Sequence, residues 1–309
     1  TSSPSAPRSQ GSADAFATRF GIPHAHGSYE ALATDPDVDI VYVATPHPMH
    51  HAAARLALEH GKHVLVEKAF TLNRAEAQDL ADLGREKGLL VMEAMWTRYL
   101  PHMARIREII AAGTLGEIRA VSADHTQALP IDPAHRLNAL ELGGGALLDL
   151  GIYPISFVHD LLGAPPLTVQ ATGRLVETGA DAEVATIMTH SGGAISTTLS
   201  SSRAAGPNTA VVLGTLARIE IDRVWYSPPT TFRVVAADGT ILEEFDGRTT
   251  SHERGGGRGM QYQALAAERY VADGTLDSDL LPVAESVAIM GLLDDIRAQI
   301  GVRYPDETV

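Results

Sequence analysis

The chain has 309 residues, 45% of them hydrophobic, and carries 24 Lys+Arg against 38 Asp+Glu for a formal net charge of −14. That length supports two domains with separate cores, and an acidic balance with no basic tract excludes a nucleic-acid partner. There is no cysteine, which excludes disulfides, thiolate metal sites and cysteine nucleophiles and suits a reducing cytoplasm.

A mean hydropathy of +0.00 and the lack of any run of about eighteen apolar residues argue against a membrane partner. The Ser- and Pro-rich opening over 1–10 lacks the basic start and apolar core of a secretory signal.

Helical patterns are predicted over 12–20 and 29–34. A compact Val/Ile-rich run at 39–45, a helix at 50–60, a second apolar strand at 62–67, a helix at 74–87 and a strand from 89 to 92 then follow. Short apolar strands alternating with helices indicate βαβ units and a parallel sheet. Past residue 98 the texture changes, with a helix at 102–112, a strand at 117–124 and a long helix at 146–162. Strand-like stretches at 168–175, 183–189, 193–200, 209–213, 217–221 and 231–236 have period-two patterning, which predicts a largely antiparallel sheet. Helices at 261–273 and 281–300 close the chain. The reading is α/β: an incomplete Rossmann-like parallel-sheet domain over 1–98, then a substrate-binding and dimerisation domain over 99–309 with a large, mostly antiparallel open sheet, onto whose partner domain the last helices can pack back.

Three clusters could carry chemistry. Thr45-Pro46-His47-Pro48-Met49-His50 follows a predicted parallel strand, and ligands of open α/β sheets sit outside the carboxyl ends of strands. His47, His50 and His51 invite a metal, but no Asp, Glu or Cys stands at ligand spacing, so none is expected. The bland alternative makes these residues the start of the next helix.

Glu67-Lys68 ends a buried strand, where charges must be paired or used; the alternative is a solvated strand end. Glu93 repeats that position one strand later. In Gly143-Gly144-Gly145-Ala146-Leu147-Leu148-Asp149-Leu150-Gly151-Ile152-Tyr153, Asp149 and Tyr153 are four apart and share a helix face. The glycines permit close approach of another backbone or a ligand. Read blandly, Asp149 is a first-turn dipole partner and Tyr153 a packed aromatic.

In this order the motifs resemble the glucose–fructose oxidoreductase / inositol dehydrogenase (Gfo/Idh/MocA) superfamily. The likeness is greatest to its dimeric dihydrodiol dehydrogenase / NADP-dependent D-xylose dehydrogenase branch. It rests also on His47-Pro48-x-His50, Met92-Glu93-Ala94-Met95-Trp96-Thr97-Arg98 and Ile300-Gly301-Val302-x-x-Pro305, and runs from about Arg8 to Pro305. Glu67-Lys68-Ala69 departs from the family's Glu-Lys-Pro, while Asp149-x-x-x-Tyr153 in place of Asp-x-x-x-His fits the branch. The strand, Gly-x-Gly-x-x-Gly turn, helix and second strand that open the family's fold have no counterpart, so a native N-terminal segment is expected before Thr1.

The resemblance implies hydride transfer between a nicotinamide cofactor and a carbinol carbon of a sugar, polyol or trans-dihydrodiol. Tyr153 would move the hydroxyl proton, with the Lys68 ammonium lowering its pKa from about 10; or Lys68 moves it, with Tyr153 as donor. Asp149 would orient Lys68 and keep it charged. Thr45, Pro46, His47, His50, Glu67 and Glu93 are implied to line the cofactor groove, with Trp96 and Arg98 beside the nicotinamide. Arg8 would hold a 2′-phosphate, favouring NADP over NAD. Arg136 and Trp225 are substrate contacts or structural residues, and a homodimer through the open sheet is implied. The rival readings are a catalytically silent sensor or regulator, a histidine-metal hydrolase, and a dehydrogenase of another polyol such as inositol or an oxo-sugar reductase.

Overall fold

The computed structural model describes residues 9–247, 257–305 and 307; Arg8 lies outside the described residues. Helix α1 (Gln10–Phe20) is capped by the Ser9 side chain and ended by Gly21 at φ 66°. In order come α2 (Tyr29–Ala33), β1 (Ile40–Val43), α3 (His50–Glu59), β2 (His63–Glu67), α4 (Arg74–Lys87) and β3 (Val91–Ala94). After α5 (Pro101–Ala111) and β4 (Ile118–Thr126), a π-helical turn (Leu147–Gly151) runs directly into α6 (Ile152–Leu162). Strands β5 (Thr168–Leu175), β6 (Asp181–Thr189), β7 (Ile195–Ser201), β8 (Ala210–Gly214), β9 (Ala217–Ile221), β10 (Thr231–Ala236) and β11 (Ile241–Asp246) precede α7 (Gln261–Ala272) and α8 (Val283–Ile300).

Strands β1, β2 and β3 pair in parallel in that order. Alternation along β2 and β3 divides their side chains between two cores. Val64, Val66 and Val91 join Leu58 of α3, Leu80 of α4 and Leu293 of α8, whereas Leu65, Met92 and Ala94 meet Ala267 and Tyr270 of α7. The last two helices thus cover the first sheet from opposite sides, and this explains why its strands read as continuous apolar runs.

The second sheet has the order β11-β10-β9-β8-β4-β7-β6-β5. Its pairings are antiparallel except β4 with β7, in line with the mostly antiparallel sheet expected. Helix α6 lies against β4, with Phe157 and Val158 in the same core as Val121 and Ala123. The segment Leu140–Leu162 is long and apolar enough to cross a membrane, with 23 residues and a mean hydropathy of 1.2, but 89% of its most apolar window lies inside the protein. It is the core helix of the second sheet.

Two elements escaped the sequence pattern. Strand β11 begins with exposed Ile241 and Leu242 and continues into Glu243 and Glu244, so it has the composition of a loop. It is a strand because Phe245 stacks on Phe232 at 4.9 Å and Glu243 pairs with Arg105 at 2.7 Å. The π-helical turn lies where an ordinary helix was predicted.

Arg98, expected beside the nicotinamide, instead clamps the two halves together. Its Nε and Nη2 donate to Ser156 Oγ and O at 2.9 Å each. Nη1 reaches Leu280 O at 3.1 Å and Asp160 at 3.2 Å, and Nη2 reaches Glu285 at 2.6 Å. Four hydrogen bonds and the ion pair with Asp160 thus commit this buried guanidinium to the protein. Glu93, also expected in the groove, turns the same way and accepts from Ser286 Oγ at 2.6 Å. Burial pushes its carboxyl up to about 7, against the pull of the Ser286 hydroxyl and of Arg98.

Breaking a buried ion pair from one side leaves the other charge uncompensated. Arg98→Met should accordingly lower unfolding free energy by about 3–5 kcal/mol, measured by urea denaturation. Because Glu93 keeps its proton longer folded than unfolded, its contribution is complete below the ordinary carboxyl pKa and is lost as pH rises toward about 7. Glu93→Gln should flatten the fall in urea midpoint between pH 4.5 and pH 7; an unchanged slope would remove Glu93 from that pH dependence.

Candidate active site

Lys68 leaves the carboxyl end of β2 and reaches the π-helical turn of the other half. Its Nζ donates to Asp149 O at 2.8 Å and to Asp149 Oδ1 at 3.1 Å. Five residues after Asp149, the spacing of a π-type bond, stands Pro154, which has no N–H to claim that carbonyl. The two side chains are only 13% and 11% exposed.

Arg136 Nη1 lies 3.3 Å from the same Oδ1 but is largely exposed, at the rim. Burial works against the Asp149 carboxylate, yet Lys68 and Arg136 hold it well below the usual carboxyl range. Burial likewise pulls the Lys68 ammonium down, and Tyr153, Asp149 and Glu67 together raise it above its ordinary value.

Tyr153 follows one turn after Asp149, as the spacing predicted. The Lys68 ammonium sits 5.0 Å from the centre of its ring, and its hydroxyl oxygen accepts the Trp96 indole N–H at 3.0 Å. Trp96 comes from the short helical turn after β3 (Trp96–Tyr99). Two strand ends of the first sheet and one helix of the second half therefore converge on one phenol.

Sequence reasoning missed the wall beside it. His125 lies edge-on to Tyr153 at 4.8 Å and stacks on Tyr226 at 3.9 Å, and Gln127 Nε2 is 2.8 Å from His125 Nε2. Burial, aided by Lys68, pushes the His125 imidazole down to about 3, so it is neutral. The available signal was period two: His125 continues the buried series Val121, Ala123 along β4. Of the two roles open to Trp225, substrate contact or structure, its contacts are those of a structural residue, and its neighbour Tyr226 is the one beside Tyr153. Trp225 is buried, donates to Asp124 O at 2.7 Å and packs on Phe157 at 4.7 Å, which makes it core.

His47 and His50, expected in the cofactor groove, staple the turn after β1. His47 Nδ1 and Nε2 each lie 3.3 Å from a carbonyl, of Gly143 and Lys68. His50 Nε2 is 2.8 Å from Thr45 O and its Nδ1 3.0 Å from Ala69 O. Burial, with His50 and Lys68 alongside, pushes His47 down to about 4, so near pH 7 it is neutral and its one N–H donates to one of these two carbonyls. A Cβ at Gly144 would come within 2.7 Å of Ala139 O and 2.9 Å of Arg136 O. There the triplet serves close backbone approach.

The three neighbouring histidines do not converge on a metal, since His51 pairs with Asp79 at 2.7 Å, away from the other two. The described residues hold one grouping of ligand type, His24, His26 and Asp35. His24 Nδ1 is hydrogen-bonded to Asp35 Oδ2 at 2.8 Å, and His26 Nε2 lies 3.0 Å from the same oxygen.

The ends of β1 and β2 fit the nicotinamide half of a dinucleotide. Thr45 Oγ1 is buried with no hydrogen-bond partner among the described residues. Pro46 fixes the turn beside it. The Glu67 carboxylate accepts from the Lys68 N–H at 3.2 Å and from the Tyr42 hydroxyl.

Residues 6–95 match the family model described as the oxidoreductase family, NAD-binding Rossmann fold. Residues 103–220 match the GFO/IDH/MocA C-terminal domain. The chain is 36% identical over 296 residues to trans-1,2-dihydrobenzene-1,2-diol dehydrogenase of Mus musculus, covering 96% of this chain and 87% of that one. It is 38% identical over 308 residues to D-xylose 1-dehydrogenase (NADP(+)) of Hypocrea jecorina, covering 91% and 78%. Among solved structures, a 3-ketoreductase from Actinomadura kijaniata in complex with NADP superposes with a TM-score of 0.80 at 26% identity, over 96% of this chain and 88% of that one. A levoglucosan dehydrogenase complexed with NADH and levoglucosan shares the fold at a TM-score of 0.82 and 22% identity, over 94% and 86%. The chain belongs to the Gfo/Idh/MocA family and is an NAD(P)-dependent oxidoreductase acting on CH–OH groups.

Proposed function

We propose that the chain interconverts a carbinol and a carbonyl of a sugar, polyol or trans-dihydrodiol, with Tyr153 moving the proton and NADP preferred over NAD. The observation that carries this reading is the meeting of Lys68 and Tyr153, 5.0 Å apart from ammonium to ring centre, at the seam between the two sheets. The bound nicotinamide supplies or accepts the hydride. Thr45, Pro46 and Glu67 are the residues suited to hold it, and Trp96 stands beside them.

In the reductive direction the Tyr153 hydroxyl hydrogen is free to be given up, because the oxygen acts as acceptor toward Trp96. The indole N–H stays on that oxygen once the proton has gone. In the oxidative direction the same oxygen takes the proton from the substrate hydroxyl. Lys68, kept as ammonium by Asp149, places a fixed positive charge 5.0 Å from the centre of the Tyr153 ring, where it favours the phenolate. Between the two assignments the sequence left open, this favours Tyr153 for the transfer and Lys68 for the charge. Arg136, at the rim, is suited to a substrate hydroxyl.

The preference for NADP draws on the similarity to the D-xylose 1-dehydrogenase (NADP(+)) of Hypocrea jecorina and on the sequence position of Arg8. The outer face of the second sheet, with exposed Ile187, Ile195, Leu199 and Leu213, supports a homodimer through that sheet. The lack of cysteine in all 309 residues suits a cytoplasmic setting. Retention of Lys68, Asp149 and Tyr153 in mutual contact argues against a silent sensor.

Lys68→Met and Tyr153→Phe should each lower kcat by roughly 10²–10⁴-fold while the melting temperature stays near the parent value, followed through NADPH absorbance with aldoses and diols. Near-parental turnover in either variant would remove the role given to that residue. Light scattering should return twice the chain mass of 32.8 kDa, falling to the single mass in the Ile187→Lys, Leu199→Lys double variant.

A further inference from the structure

Asp181, the first residue of β6, is buried. Its Oδ2 accepts the Leu147 N–H at 2.6 Å, across 34 residues of sequence. This is one of the opening N–H groups of the helical run that carries Asp149 and Tyr153, and such groups have no partner within their own helix.

The local sequence Gly143-Gly144-Gly145-Ala146 provides no side-chain cap, so the cap comes from another strand. Gly145 has φ 144°, and a Cβ there would collide with Asp181 Oδ1. Next to Asp181, Tyr304 donates to Gly144 O at 3.1 Å. The beginning of the run is thus held by two side chains remote in sequence. Side chains advance about 100° per residue around a helix, so a start displaced by one residue would swing Asp149 away from Lys68.

We propose that Asp181 is a positioning residue: by holding the Leu147 amide it sets where the π-helical turn begins, and so aims the main-chain carbonyl and Oδ1 of Asp149 at the Lys68 amine. The inference rests on the reading of Lys68 as the charged member of the site, and it deepens that reading by assigning what keeps the amine charged. A cap that merely stabilised the helix would leave Lys68 untouched in any variant that still folds.

The test is the reactivity of Lys68 in the full chain with no nicotinamide or substrate added. Acylation by acetic anhydride is followed by peptide mass spectrometry, with exposed Lys87 as the internal reference and thermal melting as the check of folding. Asp149→Ala and Asp181→Ala are each expected to speed Lys68 acylation tenfold or more, because the amine loses the contacts that hold it as ammonium. Asp181→Asn, which retains an acceptor oxygen, should lie nearer the parent.

The Asp149→Ala, Asp181→Ala double variant should react no faster than Asp149→Ala alone, since both changes act through one contact. An unchanged Lys68 rate in folded Asp181→Ala, or multiplying effects in the double variant, would overturn the proposal. If Asp181→Ala does not fold, Asp181→Asn and Gly145→Ala decide in the same way: a parental rate in both overturns it, and a faster rate in Gly145→Ala supports it. Turnover is recorded in parallel. Altered labelling with unaltered turnover would sustain the positioning role while removing Lys68 from the chemistry.

Discussion

The buried contact between Lys68 and Asp149 is the constraint around which the rest is arranged. Each side chain stands on a different sheet system, and neither charge can remain buried without the other. The ammonium takes both the carboxylate and the main-chain carbonyl of Asp149. The proline five residues further on removes the N–H that a π-type bond would bring to that carbonyl. The glycine triplet brings the preceding loop close enough, and the His47 and His50 staples fix the strand end from which Lys68 departs.

A second buried network, around Arg98, fastens the two halves behind the cleft. It gathers Ser156 and Asp160 of α6 and Glu285 of α8 around one guanidinium. Helices α7 and α8 add the apolar part by covering opposite faces of the first sheet. The cleft is therefore bounded by rigid elements, and a site carried on such elements holds its geometry better than one carried on loops. The same packing explains why Arg98 and Glu93 serve the seam: the strand end that carries Trp96 toward Tyr153 turns these neighbours toward α8.

The electrostatics of the cleft are simple as a result. His47 and His125, pushed down to about 4 and about 3 by burial, stay neutral near pH 7. Among the described residues, the charges of the site include the ammonium of Lys68, the carboxylates of Asp149 and Glu67, and the guanidinium of Arg136 at the rim. Around them, His125, Tyr226 and Trp96 form an aromatic wall whose polar atoms face Gln127 and the phenol.

Much of this was legible in the sequence. Short Val/Ile-rich runs alternating with helices specified a parallel sheet, because strands covered on both faces need apolar residues at every position. Period two specified the second sheet. The four-residue step from Asp149 to Tyr153 placed them on one face, and adjacent charges at the end of a buried strand demanded a partner. Tertiary structure alone decided which partner each group found. His47, His50, Glu93, Arg98 and Trp225 are the residue types that line a site, and also those that satisfy a buried seam. His125, Gln127 and Tyr226 joined the site from strands and loops remote in sequence, and Asp181 capped a helix 34 residues before it. Periodicity records which face of an element is buried and is silent about what lies across from it, because that depends on how the chain closes over long separations.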